Sequence, residues 1–386
     1  MVTQNISRST FIHILRWSSA FLVIFNHLRS ILFKDYGFIK NSNLFTKFFY
    51  FITGLGHTSV IVFFVLSGYL IAGSIIKQVK NDTFDLKKYT LNRISRLYAV
   101  LFVALLLTVI LDHTGIYFDH IGLYQNKIRT ATLGFSIKDR VSIQYFMSSL
   151  FMLQGIVLPP LGSNSPLWSL SCEFWYYILF PCIGLSFLFV KNKSKFIFIP
   201  VLIFLAVVVM LPFSIVLYFI IWLVGLIPFY LTLNKAYYKF FLGFAFIIWL
   251  SLKKIIHLDN FYYDLILALI VAFWLSSFPN FNQASTNFRL KLNEKLSSFS
   301  YSMYLVHFPI IMLVLTLIKN SFNTGIWMDP TVNGYLIFFG VFLIVIACSY
   351  LIATFTEFKT AEFREWLKKL FSIRRIFRKR SHHVTP

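Results

Sequence analysis

Charged side chains are scarce in this sequence, and acidic ones are the scarcest. Charged residues make up 13% of the chain, with 14 aspartates and glutamates against 36 lysines and arginines. Soluble domains are roughly a quarter charged, so this composition excludes an ordinary soluble globule. With 58% hydrophobic residues and a mean hydropathy of +0.73, it predicts an all-α bundle of transmembrane helices instead.

Cysteine is also rare, and the common metal and nucleotide motifs are missing. Cys172, Cys182 and Cys348 lie in apolar stretches without metal-ligand spacing, so we expect small buried residues there. The sequence has no HExxH, CxxC, P-loop or GxGxxG pattern, and we expect no metal and no bound cofactor. The net charge of +22 comes from cations between apolar runs and in the tail, which disfavours nucleic-acid binding.

Long apolar runs predict about ten membrane spans, because about 20 residues cross a hydrocarbon core of roughly 30 Å. The predicted spans are 11–33, 52–76, 94–112, 166–190, 196–212, 213–233, 236–252, 262–279, 297–318 and 332–356. The basic loops 77–96, 191–195 and 281–296 then share one side, which the positive-inside rule makes cytoplasmic. Both termini are predicted to be cytoplasmic as well.

Two segments do not fit a simple span. Residues 143–160 are apolar but end in two prolines, and we expect a re-entrant segment on the outer side. We divide the chain into a transmembrane domain, 1–358, and a basic amphipathic cytoplasmic tail, 359–386. The tail mixes aromatic residues with cations, which indicates either a helix on anionic lipid or a topology anchor.

The first span carries two ionisable residues, Arg16 and His27, although such groups are costly at membrane depth. They are eleven residues apart, so a helix places them on one face about 16 Å apart. With the N-terminus inside, Arg16 lies near the cytoplasm and His27 towards the outer side. His27 is either a general base for a hydroxyl or a hydrogen-bonded structural histidine beside a snorkelling arginine.

Other polar residues interrupt later spans. Arg93 and Arg96 share one helix face, which suits phosphate binding but also ordinary topology anchoring. Glu173 lies about two turns inside an aromatic span, where it could orient a histidine, relay a proton or pair with an arginine. Ser67 and the glycine after it allow close helix packing. His307 shares a helix face with two polar residues of the stretch SYSMYLVH.

Together these residues resemble the acyltransferase-3 family, multispan bacterial enzymes that O-acylate surface polysaccharides. The resemblance rests on an ordered set: Arg16 and His27 with ten residues between them, FFVLSGYLI, the pair Arg93 and Arg96, LWSLSCEFWYY around Glu173, SYSMYLVH, and Glu357. This set extends from residue 16 to residue 357, which is nearly the whole membrane domain. Cys172 and the Phe358–Lys359 pair depart from the family pattern.

The resemblance implies that cytoplasmic acyl-CoA, most often acetyl-CoA, donates its acyl group to a carbohydrate hydroxyl across the cell (inner or plasma) membrane. It implies that His27 and Glu173 are catalytic and that Arg16, Arg93 and Arg96 bind acyl-CoA. Further site candidates are Asn26, Ser67, Trp168, Ser300, Tyr301, His307 and Glu357. Some members carry an extra soluble domain, so a separate extracytoplasmic transferase is an expected partner here, besides membrane lipid and the glycan acceptor.

Two other functions remain open from the sequence. A transporter or flippase for a glycan or lipid intermediate would also use intramembrane charges, although no internal repeat with matched broken spans is visible. A structural partner that assembles glycan machinery without catalysis is the second alternative.

Overall fold

The computed structural model describes residues 7–40, 42–125, 134–253, 255–256, 258–280, 288–322 and 327–381, with the backbone alone for 322 and 371–381. The regular elements of these residues are all helices, which confirms the all-α prediction. They are α1 Arg8–Leu32, α2 Leu44–Thr53, α3 Gly56–Lys80, α4 Leu86–Tyr117, α5 Ile143–Leu150, α6 Leu167–Lys191, α7 Phe198–Met210, α8 Phe213–Val224, α9 Ile227–Tyr230, α10 Tyr237–Leu252, α11 Asn260–Ser276, α12 Phe288–Ser298, α13 Ser300–Phe322, α14 Val332–Phe355 and α15 Thr360–Ser381.

The helices form a multi-pass membrane protein. Among the described residues, seven segments are long and apolar enough to cross a membrane, and α7, α10 and α11 are shorter apolar helices. Large apolar side chains on the outer helices point away from the protein, as at Val209 in α7, Phe240 in α10 and Leu343 in α14. Lipid is the environment that such surfaces require. The count of ten spans and the cytoplasmic termini remain predictions.

Polar caps explain where several helices begin. Asp85 accepts hydrogen bonds from the backbone N–H groups of Lys87 and Lys88, which starts α4 well before the apolar run. The predicted span 94–112 is therefore the middle of a 32-residue helix. This early start places Arg93 and Arg96 on regular helix, which holds their spacing of one turn.

A proline inside α6 frees a backbone carbonyl that another helix satisfies. Pro181 has no N–H for the carbonyl of Tyr177 four residues earlier. The hydroxyl of Tyr89 in α4 donates to that carbonyl oxygen at 3.0 Å. The irregular point of α6 is thus tied to α4, close to the cations of that helix.

A second proline, Pro309, has the same effect in α13. The amide of Asn164 donates to the carbonyl of Leu305, four residues before the proline, at 2.8 Å. Asn164 belongs to the non-helical stretch 151–166 that follows α5, and it is fully buried. Backbone without helix is tolerated at membrane depth where protein encloses it, which agrees with a re-entrant segment at 143–160. The depth of this segment remains a prediction.

The bundle has two distinct ends. At one, which we call the basic end, Lys191 pairs with Asp82 at 2.6 Å, and Lys80 lies over the ring of Tyr230. The opposite end, which we call the far end, contains the ion pair of Lys34 with Asp329 at 2.8 Å. α1 runs from the basic end to the far end, and α3 returns.

Helices α3 and α8 touch backbone to backbone. A side-chain carbon added at Gly68 would lie 1.9 Å from the carbonyl oxygen of Trp222, and one added at Gly225 would lie 2.3 Å from that of Val65. Only glycine permits this approach. The packing explanation of the SG pair at residues 67–68 is therefore correct for Gly68.

Replacing Gly68 by alanine is expected to destabilise the protein strongly. The new methyl group overlaps a backbone oxygen, which cannot rotate away, and overpacking of this kind costs roughly 1–3 kcal/mol or more. Thermal unfolding in detergent, followed by tryptophan fluorescence, measures the effect. The matched control is Gly340→Ala in α14, where nothing lies within 4 Å and a small gain in stability is expected. Equal melting temperatures for the two variants would contradict the close approach.

Candidate active site

A cavity of about 280 Å³ lies among α1, α3, α4, α6 and α13. Seven of the predicted site residues line this cavity: Arg16, Ser67, Arg93, Arg96, Glu173, Ser300 and Tyr301. These residues come from five helices and are separated by up to 285 positions in sequence. The remaining lining is mainly apolar and aromatic, including Phe63, Phe64, Leu70 and Tyr304.

Arg93 is held between two aromatic rings. Its guanidinium carbon lies 5.7 Å from the ring centre of Tyr89 and 5.8 Å from that of Tyr177. Tyr89 lies four residues earlier on α4, so helix geometry alone brings these two side chains together. The Nε atom of Arg93 is buried without a hydrogen-bond partner among the described residues. The two rings orient the guanidinium group, and its N–H donors can bond to a ligand in the cavity.

The other two arginines complete a cluster of positive charge. Arg16 donates from Nη2 to the hydroxyl of Ser300 at 3.2 Å, and Arg96 is exposed at the cavity wall. Within the described part of the chain, no carboxylate lies within 4.0 Å of the guanidinium nitrogens of Arg16, Arg93 or Arg96. Three cations around a cavity with one carboxylate, Glu173, among its described lining residues leave a net positive charge that suits an anion.

Glu173 ends a chain of directed hydrogen bonds. The indole N–H of Trp222, which can only donate, bonds to the hydroxyl of Ser67 at 3.1 Å. The Ser67 hydroxyl lies 3.2 Å from that of Tyr177, and the Tyr177 hydroxyl donates to Glu173 Oε1. The two ends fix the direction of donation from Trp222 towards the carboxylate. Glu173 therefore takes a tyrosine as its partner, and no arginine of the described residues lies within 4.0 Å of its carboxylate.

His27 and His307 lie beside the cavity as a buried pair. Their ring centres are 5.3 Å apart, and the ring of Tyr304, which lines the cavity, is 5.9 Å from His307. Nδ1 of His307 lies 2.8 Å from the carbonyl of Tyr304, so this nitrogen carries the proton and Nε2 holds a lone pair.

One ring nitrogen of each histidine has no hydrogen-bond partner among the described residues. Nε2 of His307 and Nδ1 of His27 are both buried, and neither has a hydrogen-bond partner among the described residues. An unpaired buried polar atom costs about 1–3 kcal/mol. Buried ring nitrogens without a partner in the protein are suited to accepting a proton or binding a reacting group.

Three predicted site residues lie outside both groups. Asn26 packs against Gly56, where an added side-chain carbon would come within 2.6 Å of its Cβ atom. Trp168 is partly exposed on α6. Glu357 accepts hydrogen bonds from the backbone N–H and the hydroxyl of Ser302, both at 2.9 Å, and so ties the end of α14 to α13. The role of Glu357 in the site remains a prediction.

Sequence reasoning missed several residues of the site. Tyr177 is one turn after Glu173 and Tyr89 one turn before Arg93, so the spacing of four residues was a usable signal for both. Trp222 carried no such signal, because its partner Ser67 is 155 positions away. Tyr304, in the stretch SYSMYLVH, lines the cavity, and its ring lies 5.9 Å from that of His307.

The chain is similar to known proteins over most of its length. A family model described as an acyltransferase domain matches residues 9–354. An uncharacterised protein of Haemophilus influenzae is 35% identical over 127 residues, which are 32% of this chain and 46% of that protein. A peptidoglycan O-acetyltransferase of Listeria monocytogenes is 31% identical over 141 residues, 36% of this chain and 21% of that protein. Both matches cover less than half of the relative's length, and no solved structure matches significantly.

Proposed function

The protein belongs to the acyltransferase-3 family, and from that premise we propose that it is a membrane O-acyltransferase. It moves an acetyl group from cytoplasmic acetyl-CoA to a hydroxyl of a surface polysaccharide or lipid-linked glycan. One observation carries the proposal: Arg16, Arg93 and Arg96 line a cavity with one carboxylate among its described lining residues, and the ring of Tyr304 in its wall lies 5.9 Å from His307 of the His307–His27 pair.

The arginine cluster suits the phosphate groups of coenzyme A. Planar guanidinium groups bind phosphate oxygens with two parallel hydrogen bonds, and Arg93 is already oriented by its two rings. The cavity volume of about 280 Å³ lies just below the usual range of roughly 300–1,000 Å³ for sites that enclose whole ligands. It therefore takes the thin pantetheine arm and its thioester, while the phosphates remain with the arginines.

The acetyl group then reaches the histidine pair. We assign to His27 either the removal of a proton from the acceptor hydroxyl or the transient carriage of the acetyl group. His307 supports either role, because its Nδ1 proton is fixed and its Nε2 lone pair is available to a proton beside His27. Glu173 provides the single carboxylate among the described cavity-lining residues, and its second oxygen can accept an N–H group of the donor.

The basic end then faces the cytoplasm, which supplies acetyl-CoA, and the far end faces the glycan. The distribution of lysines and arginines supports this orientation. The location that follows is the cell membrane, and a separate extracytoplasmic transferase is the expected partner if the first acceptor is a carrier. The name of the Listeria relative supports a cell-envelope glycan as the acceptor class.

Transfer by the purified protein tests this function. Proteoliposomes receive radiolabelled acetyl-CoA on one side and, on the other, envelope glycan from the source cells that mild alkali has stripped of O-acetyl groups. We expect alkali-labile label on the glycan, and no label when empty liposomes replace proteoliposomes. An absence of transfer in every arrangement of the two substrates contradicts the proposal.

The transport alternative predicts a different result in cells. Mass spectrometry of envelope glycans with and without the protein separates the two functions. Loss of acetyl groups from chains of unchanged length indicates acyl transfer. Loss of the chains themselves indicates transport of an intermediate.

A further inference from the structure

A histidine and an aspartate form a close pair at the far end of the bundle, outside the arginine-lined cavity. Nε2 of His57, in the first turn of α3, lies 2.6 Å from Oδ2 of Asp264 in α11. The hydroxyl of Tyr218 in α8 donates to the same oxygen at 2.7 Å. The two residues are 207 positions apart, and neither stood out in the sequence.

The environment of the pair is asymmetric. The side chain of Asp264 is 1% exposed, whereas that of His57 is 39% exposed. A buried carboxylate needs donors, and within the described residues His57 is the only basic group within 4.0 Å of it. The carboxylate therefore requires a proton on Nε2 of His57. In the neutral ring, Nδ1 is then the lone-pair nitrogen.

The free nitrogen of His57 is accessible. Nδ1 makes no hydrogen bond to the described part of the chain, and it is not among the buried polar atoms. A buried carboxylate that fixes the tautomer and orientation of a histidine is the arrangement of Asp–His pairs in hydrolases. Such a histidine acts as a general base towards a hydroxyl.

The helix that carries His57 packs directly on the helix that carries His27. Gly56 packs against Asn26 so tightly that an added side-chain carbon would lie 2.6 Å from the Asn26 Cβ atom. His57 follows Gly56, and His27 follows Asn26. Each histidine is thus one residue past the same contact between α1 and α3, which places the two at a similar depth in the bundle.

We propose that His57 is the acceptor-side general base of this protein and that Asp264 is its positioning residue. The inference rests on the proposed acyl transfer and assigns two parts of the reaction to different histidines. His27 acts on the acetyl group, and His57 acts on the carbohydrate hydroxyl. The Tyr218 hydroxyl is a second hydrogen-bond donor to the Asp264 carboxylate. Asp259, at the start of α11, is a further acidic group close to Tyr218.

The reaction step balances as follows. The acceptor oxygen forms a bond to the acetyl carbonyl carbon as its proton moves to Nδ1 of His57. The bond from that carbon to its carrier, the thioester sulfur or a ring nitrogen of His27, breaks, and the carrier keeps the electron pair. His57 then releases the proton to water at the far end, and the leaving thiolate takes one from water at the basic end.

His57→Gln tests the role without removing the contact. The glutamine amide still donates to Asp264 but has no basic nitrogen. We expect transfer to the alkali-treated glycan to fall by about 10²- to 10⁴-fold, the range for a lost general base, with unchanged acetyl-CoA binding. We also expect exogenous imidazole to restore part of the transfer by His57→Ala, because the far-end site is open to solvent. His113→Ala is the control: it removes an exposed histidine of α4 that bonds only to the carbonyl of Val109, and it should keep the wild-type rate.

The outcomes distinguish a failure of the His57 assignment from a failure of the proposed acyl transfer. A His57→Gln variant with wild-type transfer overturns the acceptor-side base, because the hydrogen bond alone then suffices. Loss of transfer by His57→Ala that imidazole does not restore, together with a lowered melting temperature, also overturns it in favour of a purely structural contact. Wild-type protein that transfers nothing overturns the proposed function and this inference with it.

Discussion

Replacing His27 by alanine is expected to lower the rate of acetyl transfer by about 10²- to 10⁴-fold, the usual contribution of a positioned acid or base. The same loss is expected if His27 carries the acetyl group, because the variant has no nitrogen to carry it. Binding of acetyl-CoA should remain, because the arginine cluster begins about three helical turns away from His27. Initial rates with labelled acetyl-CoA and the alkali-treated glycan provide the measurement, with binding followed separately by equilibrium dialysis.

The control for this variant is a histidine on the same bundle that faces outward. His113 is exposed on α4 and bonds only to the carbonyl of Val109 one turn earlier. His113→Ala should therefore transfer acetyl at the wild-type rate. If His27→Ala does the same, then the histidine pair serves packing and the catalytic assignment of His27 is wrong.

The second large effect concerns donor binding. Arg93→Gln and Arg96→Gln each remove a guanidinium from the cavity, and a hydrogen bond to a charged group contributes roughly 1.5–3 kcal/mol. We expect the Kd for acetyl-CoA to rise about 10- to 100-fold in each variant, whereas the KM for the glycan changes little. The loss should be larger at low salt, because salt screens the interaction of cations with phosphates.

Two comparisons sharpen this result. Lys87→Gln and Lys88→Gln remove charges from the exposed first turn of the same helix, outside the cavity, and should leave acetyl-CoA binding unchanged. Arg93→Lys keeps the charge but loses the planar fork and the stacking between tyrosine rings, so it should recover only part of the affinity. If Lys87→Gln and Lys88→Gln weaken acetyl-CoA binding as much as Arg93→Gln and Arg96→Gln do, the effect comes from positive charge in general. That result would contradict a specific phosphate site.

Much of the fold could be predicted from the sequence because a membrane span is recognisable as a continuous apolar run along the chain. Each predicted span coincides with an apolar helix, including the two that Pro212 separates at α7 and α8. The spacing of Arg93 and Arg96 correctly placed both on one wall, because helix geometry relates residues three apart. The roles assigned to these residues and to His27 are still predictions.

The contacts between helices could not be predicted in the same way. Asn164 satisfies the carbonyl freed by Pro309, and His57 meets Asp264, across separations of 141 and 207 residues. Such pairs depend on the rotation of each helix about its axis, which apolar composition leaves almost undetermined when most faces are apolar. The missing arginine partner of Glu173 has the same origin, because a tyrosine one turn away on the same helix was closer than any cation of another helix.

The arginine cluster has a consequence for regulation by metabolites. In the proposed binding mode, it contacts phosphate groups that acetyl-CoA and free CoA have in common, so this part of the binding energy would be the same for substrate and product. Free CoA should then compete for the cavity with an affinity close to that of acetyl-CoA. Turnover would follow the ratio of acetyl-CoA to free CoA more closely than the concentration of either. Envelope acylation would thereby slow whenever the cell's supply of activated acetate falls.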